Sequence, residues 1–218
     1  MPGQARLQPE QSVQARIDAG CRALQLAADS TVAGRLADYV AMLAKWNRIY
    51  NLTAVRDPRQ MVVRHILDSL AVLPWLVAGR LLDVGSGAGL PGLPLAIARP
   101  ALAVTLLDSN AKKIRFLRQV VAELGLENVE VVQARMQEYQ PGRAFDMVIS
   151  RAVSSLDELY RMSQHLLAEG GRMLFMKGAL PEAEMTAFAP GSDTLHCERL
   201  RVPGLDAERH LLWLDKQG

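Results

Sequence analysis

A glycine-rich segment behind a short apolar run is the feature that most limits what this chain can fold into. Residues 81–84 have the apolar pattern of a buried strand, and four glycines fall within residues 85–92, which open a helix-like apolar segment. Glycine lets a backbone turn tightly and lets a ligand approach it closely. A glycine loop between a strand and a helix is typical of nucleotide-binding sites. The segment therefore predicts an α/β fold whose ligand contacts include Gly85 and Gly87.

The residue that ends the strand helps to choose the ligand. The spacing Gly87-x-Gly89-x-x-Gly92 also fits a dinucleotide fingerprint, so the glycines alone do not choose. The carboxylate of Asp83 would repel a pyrophosphate, whereas it would stabilise the ammonium and sulfonium groups of S-adenosylmethionine. The alternative is that Asp83 only caps the amides of its own loop.

From Arg80 onward the chain alternates between short apolar runs and helical patterns. Such alternation favours a parallel sheet with right-handed crossovers. Two late apolar runs are expected to pair antiparallel at one sheet edge. We predict strands at residues 80–84, 104–107, 129–133, 147–149 and 172–176, helices at 93–98, 111–124, 136–139, 155–167 and 182–188, and the antiparallel pair at 194–201 and 210–215.

The residues before Arg80 are predicted to be helical. Apolar residues recur at three- and four-residue steps over residues 32–46, with Ser30 as a candidate cap. Asp57-Pro58 is a start signal for a second helix that ends near Pro74. We therefore divide the chain into a helical extension, residues 1–79, and a cofactor-binding core, residues 80–218.

Two further strand ends carry candidate cofactor contacts. Asp108 ends the second strand, where a carboxylate can hold both ribose hydroxyls of an adenosine; alternatively it caps the following helix. Met136 and Gln137 follow the third strand, where an adenine would lie. Met136 offers a polarizable wall, and the Gln137 carbonyl oxygen can accept from an amino group. The alternative is a core methionine and a solvated glutamine.

The fourth and fifth predicted strands end in cations, and no convincing His/Asp or Cys-based catalytic group lies near the strand ends. Arg151 suits a phosphate, a guanine edge or a cofactor carboxylate, and a salt bridge to Asp146 is the structural alternative. Lys177 has the same ambiguity. Both are candidate positioning residues, and no residue is assigned as a catalytic acid or base.

The formal net charge of +2 conceals an uneven distribution. Residues 1–80 hold ten basic and six acidic residues, a net of +4, so the remainder carries −2. The basic side chains concentrate around Trp46 and Tyr50, a combination that binds RNA, although a solvated helix face is the simpler reading. The candidate RNA-binding residues are Lys45, Arg48, Arg56, Arg59 and Arg64, with support from Lys112, Lys113 and Arg115.

The composition also sets expectations about surroundings. Cys21 and Cys197 lie far apart with no metal-ligand spacing, which suits a reducing compartment and no metal. The longest uncharged stretch, residues 84–98, contains four glycines and two prolines and is not a membrane span. No secretory signal pattern opens the sequence. We expect a cytoplasmic monomer without a membrane partner.

Together these motifs resemble one family, the bacterial small-subunit rRNA (guanine-N7)-methyltransferases RsmG (GidB). The resemblance runs from about Trp46 to Gly178, with order and spacing kept. The motifs that carry it are Asn51-Leu52-Thr53, Arg64-His65-Ile66-Leu67-Asp68-Ser69-Leu70, the segment from Asp83 to Gly92, Leu107-Asp108-Ser109-Asn110, Ser150-Arg151-Ala152 and Lys177-Gly178.

The resemblance implies a class I S-adenosylmethionine-dependent methyltransferase fold: Rossmann-like, mostly parallel, seven-stranded, with an antiparallel edge strand and an N-terminal helical extension. It implies methylation of N7 of guanine 527, in the 530 loop of 16S rRNA, free or in an assembling small subunit. The cofactor contacts that it implies are Gly85, Leu90, Met136, Gln137 and Arg151. The family usually has Glu where this chain has Gln137, which puts a carboxylate-specific contact to adenine in doubt.

Guanine N7 carries a lone pair and no proton, so its methylation needs no general base. We interpret His65 as a residue that packs or hydrogen-bonds the helical extension against the core. Spacing of four residues predicts that Arg64 meets Asp68 and that His65 meets Ser69. Three rivals remain at this point: a methyltransferase for another substrate, a nicotinamide-dependent oxidoreductase, and a non-catalytic RNA-binding assembly factor.

Overall fold

The computed structural model describes residues 11–27, 29–151, 155–188 and 194–216. Ala152 of the Ser150–Ala152 motif and the first ten residues of the expected extension lie outside these ranges. The helices before the sheet are α1 (Val13–Ala23), α2 (Ser30–Tyr50), α3 (Pro58–Met61) and α4 (Asp68–Leu70), with a π-helical segment at Val62–Leu67 and a 3₁₀ turn at Leu73–Trp75.

A seven-stranded sheet forms the centre of the molecule. Its strands are β1 (Arg80–Val84), β2 (Ala103–Asp108), β3 (Val129–Gln133), β4 (Phe145–Arg151), β5 (Leu167–Lys177), β6 (His196–Arg199) and β7 (His210–Asp215), in the order β3-β2-β1-β4-β5-β7-β6. The first five strands are mutually parallel. β7 runs antiparallel to both β5 and β6, so the expected antiparallel pair at one edge is present.

Helices cover both faces of the sheet. They are α5 (Gly92–Ala98), α6 (Ala111–Leu124), α7 (Leu156–Ser163) and α8 (Glu182–Ala187), with 3₁₀ turns at Met136–Glu138 and Gln164–Leu166. Alternate residues of each strand face opposite sides: Leu81 joins a core shared with α1, α2, α5 and α6, and Leu82 joins a second core beneath α7. The first core runs from α1 to β7, so the N-terminal helices are packed into it.

The predicted elements are present, and the differences have local causes. Asp29, not Ser30, caps α2 by accepting from the Val32 N–H at 2.9 Å. Asp57 caps α3 and Pro58 is its first residue, as expected. β5 begins at Leu167 rather than at residue 172, because Gly170 and Gly171 interrupt its apolar pattern without ending the strand.

The helix predicted after Asp57 is not regular. Over Val62–Leu67 it widens into π-helical turns, and the Asp68 N–H bonds to the Val63 carbonyl, five residues back. The spacing of apolar residues does not predict this widening, because every residue of the segment except Arg64 is buried and the segment has no distinct apolar face. In the part of the chain that is described, no helix is both long and apolar enough for a membrane span.

Candidate functional site

The glycine loop is held against the end of β2 by its own backbone. The N–H groups of Gly85 and Ser86 donate to the Leu107 carbonyl at 2.8 and 3.1 Å. Gly85, Gly87 and Gly89 all have positive φ, a region that other residues rarely adopt. The buried Leu90 donates its N–H to the Ser86 carbonyl at 2.9 Å. The loop is thus shaped by hydrogen bonds that require glycine at its turns.

Asp83 is fully buried beneath this loop. Its Oδ2 accepts from the Gly92 N–H at 2.8 Å, which is the capping contact that the sequence left open as an alternative. Its Oδ1 has no hydrogen-bond partner in the described chain. Burial raises the pKa of Asp83 to about 7, against the smaller opposing effects of the Gly92 N–H and of Arg151. Oδ1 is therefore a buried acceptor without a partner among the described residues.

Asp108 ties the loop to the start of α6. Its Oδ2 accepts from the Gly87 N–H at 2.9 Å and lies 3.5 Å from Lys113 Nζ, while Oδ1 accepts from the Asn110 N–H. The cap of α6 is Asn110, whose side chain accepts from the Lys112 N–H. The alternative that Asp108 is that cap is therefore wrong, although Asp108 does hold the residue that caps.

A pocket of about 290 Å³ opens where β1, β2 and β3 end. Met136 is buried at its wall, whereas Gln137 is exposed and donates from Nε2 to the sulfur of Met162. The pocket brings together three of the predicted cofactor strand ends. Its lining residues are Val84, Gly85, Leu107, Asp108, Ser109, Lys113, Ala134, Arg135, Met136 and Gln137.

Arg151 at the end of β4 is partnered by the π-helical segment. Its Nη1 donates to Asp68 Oδ2 and to the Arg64 carbonyl, both at 3.2 Å. The expected alternative, a bridge to Asp146, does not form, because Asp146 lies near the opposite end of β4, where its Oδ2 accepts from the Arg80 N–H at 2.7 Å. The expected Arg64–Asp68 pair is also absent: Arg64 is exposed and Asp68 is buried.

Lys177 lies one strand further along the same edge of the sheet. Arg151 is paired with Met176 in the β4–β5 register, so the next residue, Lys177, directs its side chain to the opposite face of the sheet. Glu184 of α8 accepts from Lys177 Nζ at 3.0 Å and from the Leu156 N–H at 3.0 Å. Both positioning candidates are therefore oriented by carboxylates.

Arg209 completes the group and was missed by the sequence reasoning. Its Nε donates to Asp68 Oδ1 at 2.7 Å, so two arginines share one buried carboxylate. Arg209 precedes β7, and no local pattern links it to residues more than a hundred positions earlier. The pairing of Lys177 with His210 in the β5–β7 register is what brings it to this edge.

His65 is buried in the π-helical segment and hydrogen-bonded on both ring nitrogens. Nδ1 lies 2.9 Å from the Arg64 carbonyl, which fixes Nδ1 as the donor, so Nε2 accepts from the Thr53 hydroxyl at 2.8 Å. Burial, with the nearby Arg151 charge, lowers the pKa of His65 to about 4. Ser69 donates to the His65 carbonyl rather than to its ring. These contacts give His65 a structural role, but they join the π-helical segment to the loop after α2, within the extension, and not to the sheet.

The five candidate RNA-binding side chains, Lys45, Arg48, Arg56, Arg59 and Arg64, are all exposed. We call them the basic surface. The loop that carries Arg56 is folded back on α2, since Asn47 donates to the Val55 carbonyl and accepts from the Thr53 N–H. Trp46 packs between Tyr50 and Phe116, so it is partly committed to the core.

Among the described residues, no three His, Cys, Asp or Glu side chains are grouped so that they could bind a metal ion. The site brings together a glycine loop, the buried Asp83 beneath it, Asp108 at the wall of a pocket, and cations at the ends of β4 and β5.

The strand order, with a glycine loop after β1 and an antiparallel β7, defines a class I methyltransferase fold. Solved structures of this fold match: a predicted O-methyltransferase from Agrobacterium tumefaciens has a TM-score of 0.56 at 24% identity, covering 71% of this chain and 81% of that one. The glycopeptide N-methyltransferase MtfA, solved with S-adenosyl-L-homocysteine, has a TM-score of 0.53 at 14% identity, covering 70% and 87%.

Within this class the family is also defined. The family model described as rRNA small subunit methyltransferase G matches residues 33–212. The ribosomal RNA small subunit methyltransferase G of Methylobacillus flagellatus is 49% identical over 202 residues, covering 93% of this chain and 98% of the relative. That of Chromobacterium violaceum is 53% identical over 175 residues, covering 80% and 84%. The chain belongs to the rRNA small subunit methyltransferase G family.

Proposed function

We propose that this protein transfers a methyl group from S-adenosylmethionine to N7 of guanine 527, in the 530 loop of 16S rRNA. One observation carries the proposal: a member of an rRNA methyltransferase family has a pocket of about 290 Å³ where β1, β2 and β3 end, and the neighbouring strand β4 ends at Arg151. Residues 80–218 would hold the cofactor, and residues 1–79 would face the RNA. The enzyme is taken to be a cytoplasmic monomer.

The residues present fit S-adenosylmethionine. A pocket of about 290 Å³ is at the small end of the range of ligand sites, enough for the adenosine part of the molecule. Asp108 has lone pairs left for the ribose hydroxyls, and Met136 would pack on the adenine. The unpartnered Oδ1 of Asp83 would accept from the ammonium group. Gly85, Gly87 and Leu90 would present backbone to the ligand, and Gln137 would accept from the adenine amino group.

When bound, this cofactor supplies an electrophilic methyl group on a sulfonium. The chain's own contribution is placement and electrostatics, because guanine N7 needs no deprotonation. Arg151 and Lys177 would orient the guanine or its phosphate, each directed by the carboxylate that it binds. We expect the rate at saturating cofactor to show no essential base with a pKa near 7, since a base of that kind would contradict this chemistry.

The RNA would be bound by the basic surface. Arg64 is the member of this surface that is in contact with Arg151. Arg64 is exposed at its side chain, and its carbonyl accepts from Arg151. Lys112 and Arg115, also exposed, would extend this contact beside the pocket, together with Lys113. Because the net charge is only +2, capture of RNA depends on this local concentration of charge.

Mass-spectrometric mapping of 16S rRNA from cells with and without the gene tests the proposal. We expect one guanine in the 530 loop to lose a methyl group on N7 when the gene is absent, and the purified protein to restore it from S-adenosylmethionine. An unchanged 530 loop would overturn the assigned target. Methyl transfer to a protein or small molecule, cofactor-independent RNA binding, or nicotinamide binding would each favour a different function.

A further inference from the structure

Asp68 is the buried centre of the cationic edge of the site. Its side chain is 3% exposed, and each of its oxygens binds a different arginine: Oδ2 binds Arg151 at 3.2 Å and Oδ1 binds Arg209 at 2.7 Å. A buried carboxylate is costly unless it is paired, and here it is paired twice. The group therefore keeps one net positive charge at the end of β4.

The geometry restricts one end of the Arg151 guanidinium only. Nη1 is held by two acceptors, Asp68 Oδ2 and the Arg64 carbonyl, whereas Nε and Nη2 have no hydrogen bond to the described residues. Because a guanidinium is rigid and planar, fixing Nη1 against two acceptors also limits where the other N–H groups point. Arg151 is 21% exposed, so those groups remain accessible from the site.

Arg209 fixes Asp68 in turn. It reaches Asp68 from the segment before β7, while Asp68 itself follows the π-helical segment and Arg151 ends β4. Three separate elements thus meet at one carboxylate. The Arg172–Asp215 pair offers a contrast: it links β5 and β7 through Nε and Nη2, with Asp215 45% exposed and no site residue attached.

We propose that Asp68, held by Arg209, is a positioning residue that orients Arg151 toward the guanine or its phosphate. This role rests on the proposed function. It predicts that Asp68 affects the methyl-transfer step through Arg151 and contributes little to cofactor binding, because Asp68, Arg209 and Arg151 all lie outside the lining of the pocket.

A double-mutant cycle on the full-length protein tests this role, with 16S rRNA or small subunits lacking the modification as substrate. We expect Asp68→Asn to lower kcat about tenfold to 100-fold, with less than a twofold change in the Kd for S-adenosylmethionine. In an Arg151→Gln background, Asp68→Asn should cause no further loss of kcat. Asp215→Asn, which weakens an Arg–Asp pair outside the site, is the control and should leave kcat unchanged.

Independent losses would overturn the role: if Asp68→Asn lowers kcat by the same factor with and without Arg151, it does not act through Arg151. An unchanged kcat in Asp68→Asn would overturn it as well. Should Asp68→Asn fail to fold, Arg209→Gln gives the same cycle, with an expected loss of severalfold that disappears in Arg151→Gln. Absence of methyl transfer by the unmodified protein would instead contradict the proposed function.

Discussion

The hydroxyl of Tyr39 donates a 2.7 Å hydrogen bond to the carbonyl oxygen of Ala88. Tyr39 is a fully buried residue of α2, and Ala88 lies between two glycines of the loop after β1. The bond joins the helix that carries Lys45 and Arg48 to the loop expected to contact the cofactor. The helix that carries two residues of the basic surface is thus in direct contact with the glycine loop.

Replacement of Tyr39 by Phe should therefore weaken both stability and cofactor affinity. We expect the free energy of unfolding to fall by about 1–3 kcal/mol, because the buried Ala88 carbonyl loses its partner. The Kd for S-adenosylmethionine should rise about two- to tenfold, because the loop would lose one neutral hydrogen bond that holds its conformation. Urea unfolding measures the change in stability, and calorimetric titration measures the change in cofactor affinity.

Tyr50→Phe is the control, since the Tyr50 hydroxyl has no hydrogen bond within the described chain. Equal effects in the two variants would contradict the coupling between Tyr39 and the loop.

His65 should make the protein less stable in mild acid. Folding lowers its pKa from 6.5 to about 4, so the folded state favours the neutral ring and the unfolded chain takes up the proton first. The unfolding free energy should be unaffected by this residue above pH 7 and should fall by up to about 3 kcal/mol between pH 6.5 and 4. Urea unfolding at several pH values measures the slope. In His65→Gln the unfolding free energy should depend less on pH over this window. An identical slope in both proteins would show that His65 is not the group responsible.

Asp83 should make cofactor binding depend on pH. Its pKa of about 7 means that the free protein holds a proton that a cationic ligand must displace. Affinity for S-adenosylmethionine should rise as pH increases from 6.0 to 7.5, below the range where the ligand's own amino group, with a pKa of about 8, loses its proton. Proton release measured by calorimetry in two buffers provides the check. Asp83→Asn should bind S-adenosylmethionine more weakly and with an affinity that does not depend on pH. If the affinity of the unmodified protein is also independent of pH, Asp83 serves only to accept the hydrogen bond from Gly92.

The basic surface should account for the salt dependence of RNA binding. Each lost phosphate contact lowers the slope of log K against log salt by about 0.7–0.9 and weakens binding of all sequences alike. We expect Arg56→Ala combined with Arg59→Ala to reduce the slope by between one and two, measured by filter binding from 50 to 200 mM salt. Arg22→Ala, at an exposed arginine of α1 paired with Asp18, is the control. An equal loss in that variant would mean that the binding surface lies elsewhere.

Gln137 should tolerate replacement by glutamate, the residue that the family resemblance predicts at this position. In Gln137→Glu the donor to the Met162 sulfur is lost and a stronger acceptor is gained. We expect the affinity for S-adenosylmethionine to change by less than about tenfold, as calorimetry would measure, because one hydrogen bond is exchanged for another. A larger gain would mean that the amide is a real deficiency of this chain.

The sequence predicts elements whose causes are local. The glycine loop, the Asp57-Pro58 start of α3 and the bounds of α6 all follow from residues adjacent in the chain, and all are confirmed. The capping contact of Asp83 to Gly92 was foreseen as an alternative for the same reason. The fold class follows from periodicity summed over many residues, so errors of a few residues in β4 and β5 do not affect it.

What the sequence could not supply are contacts between distant segments. Asp68 with Arg209, 141 residues apart, and Tyr39 with Ala88, 49 apart, depend on how helices and strands pack. The pairing of Arg64 with Asp68 was wrong for a related reason: the prediction assumed α-helical phase, and the chain is not α-helical there. The sequence thus indicates several side chains of the site by their chemistry, whereas the residues that they contact are known only from the folded structure.

The π-helical segment determines the direction around the helix axis in which the next residue, Asp68, points. In a regular α-helix each residue advances about 100° around the axis, so residues 62–67 wound in that way would turn Asp68 by roughly a quarter of a revolution relative to α3. Its carboxylate would then leave the direction of β4 and Arg209. The winding of this segment, and not only the identity of its side chains, is therefore what directs Asp68 toward Arg151 and Arg209.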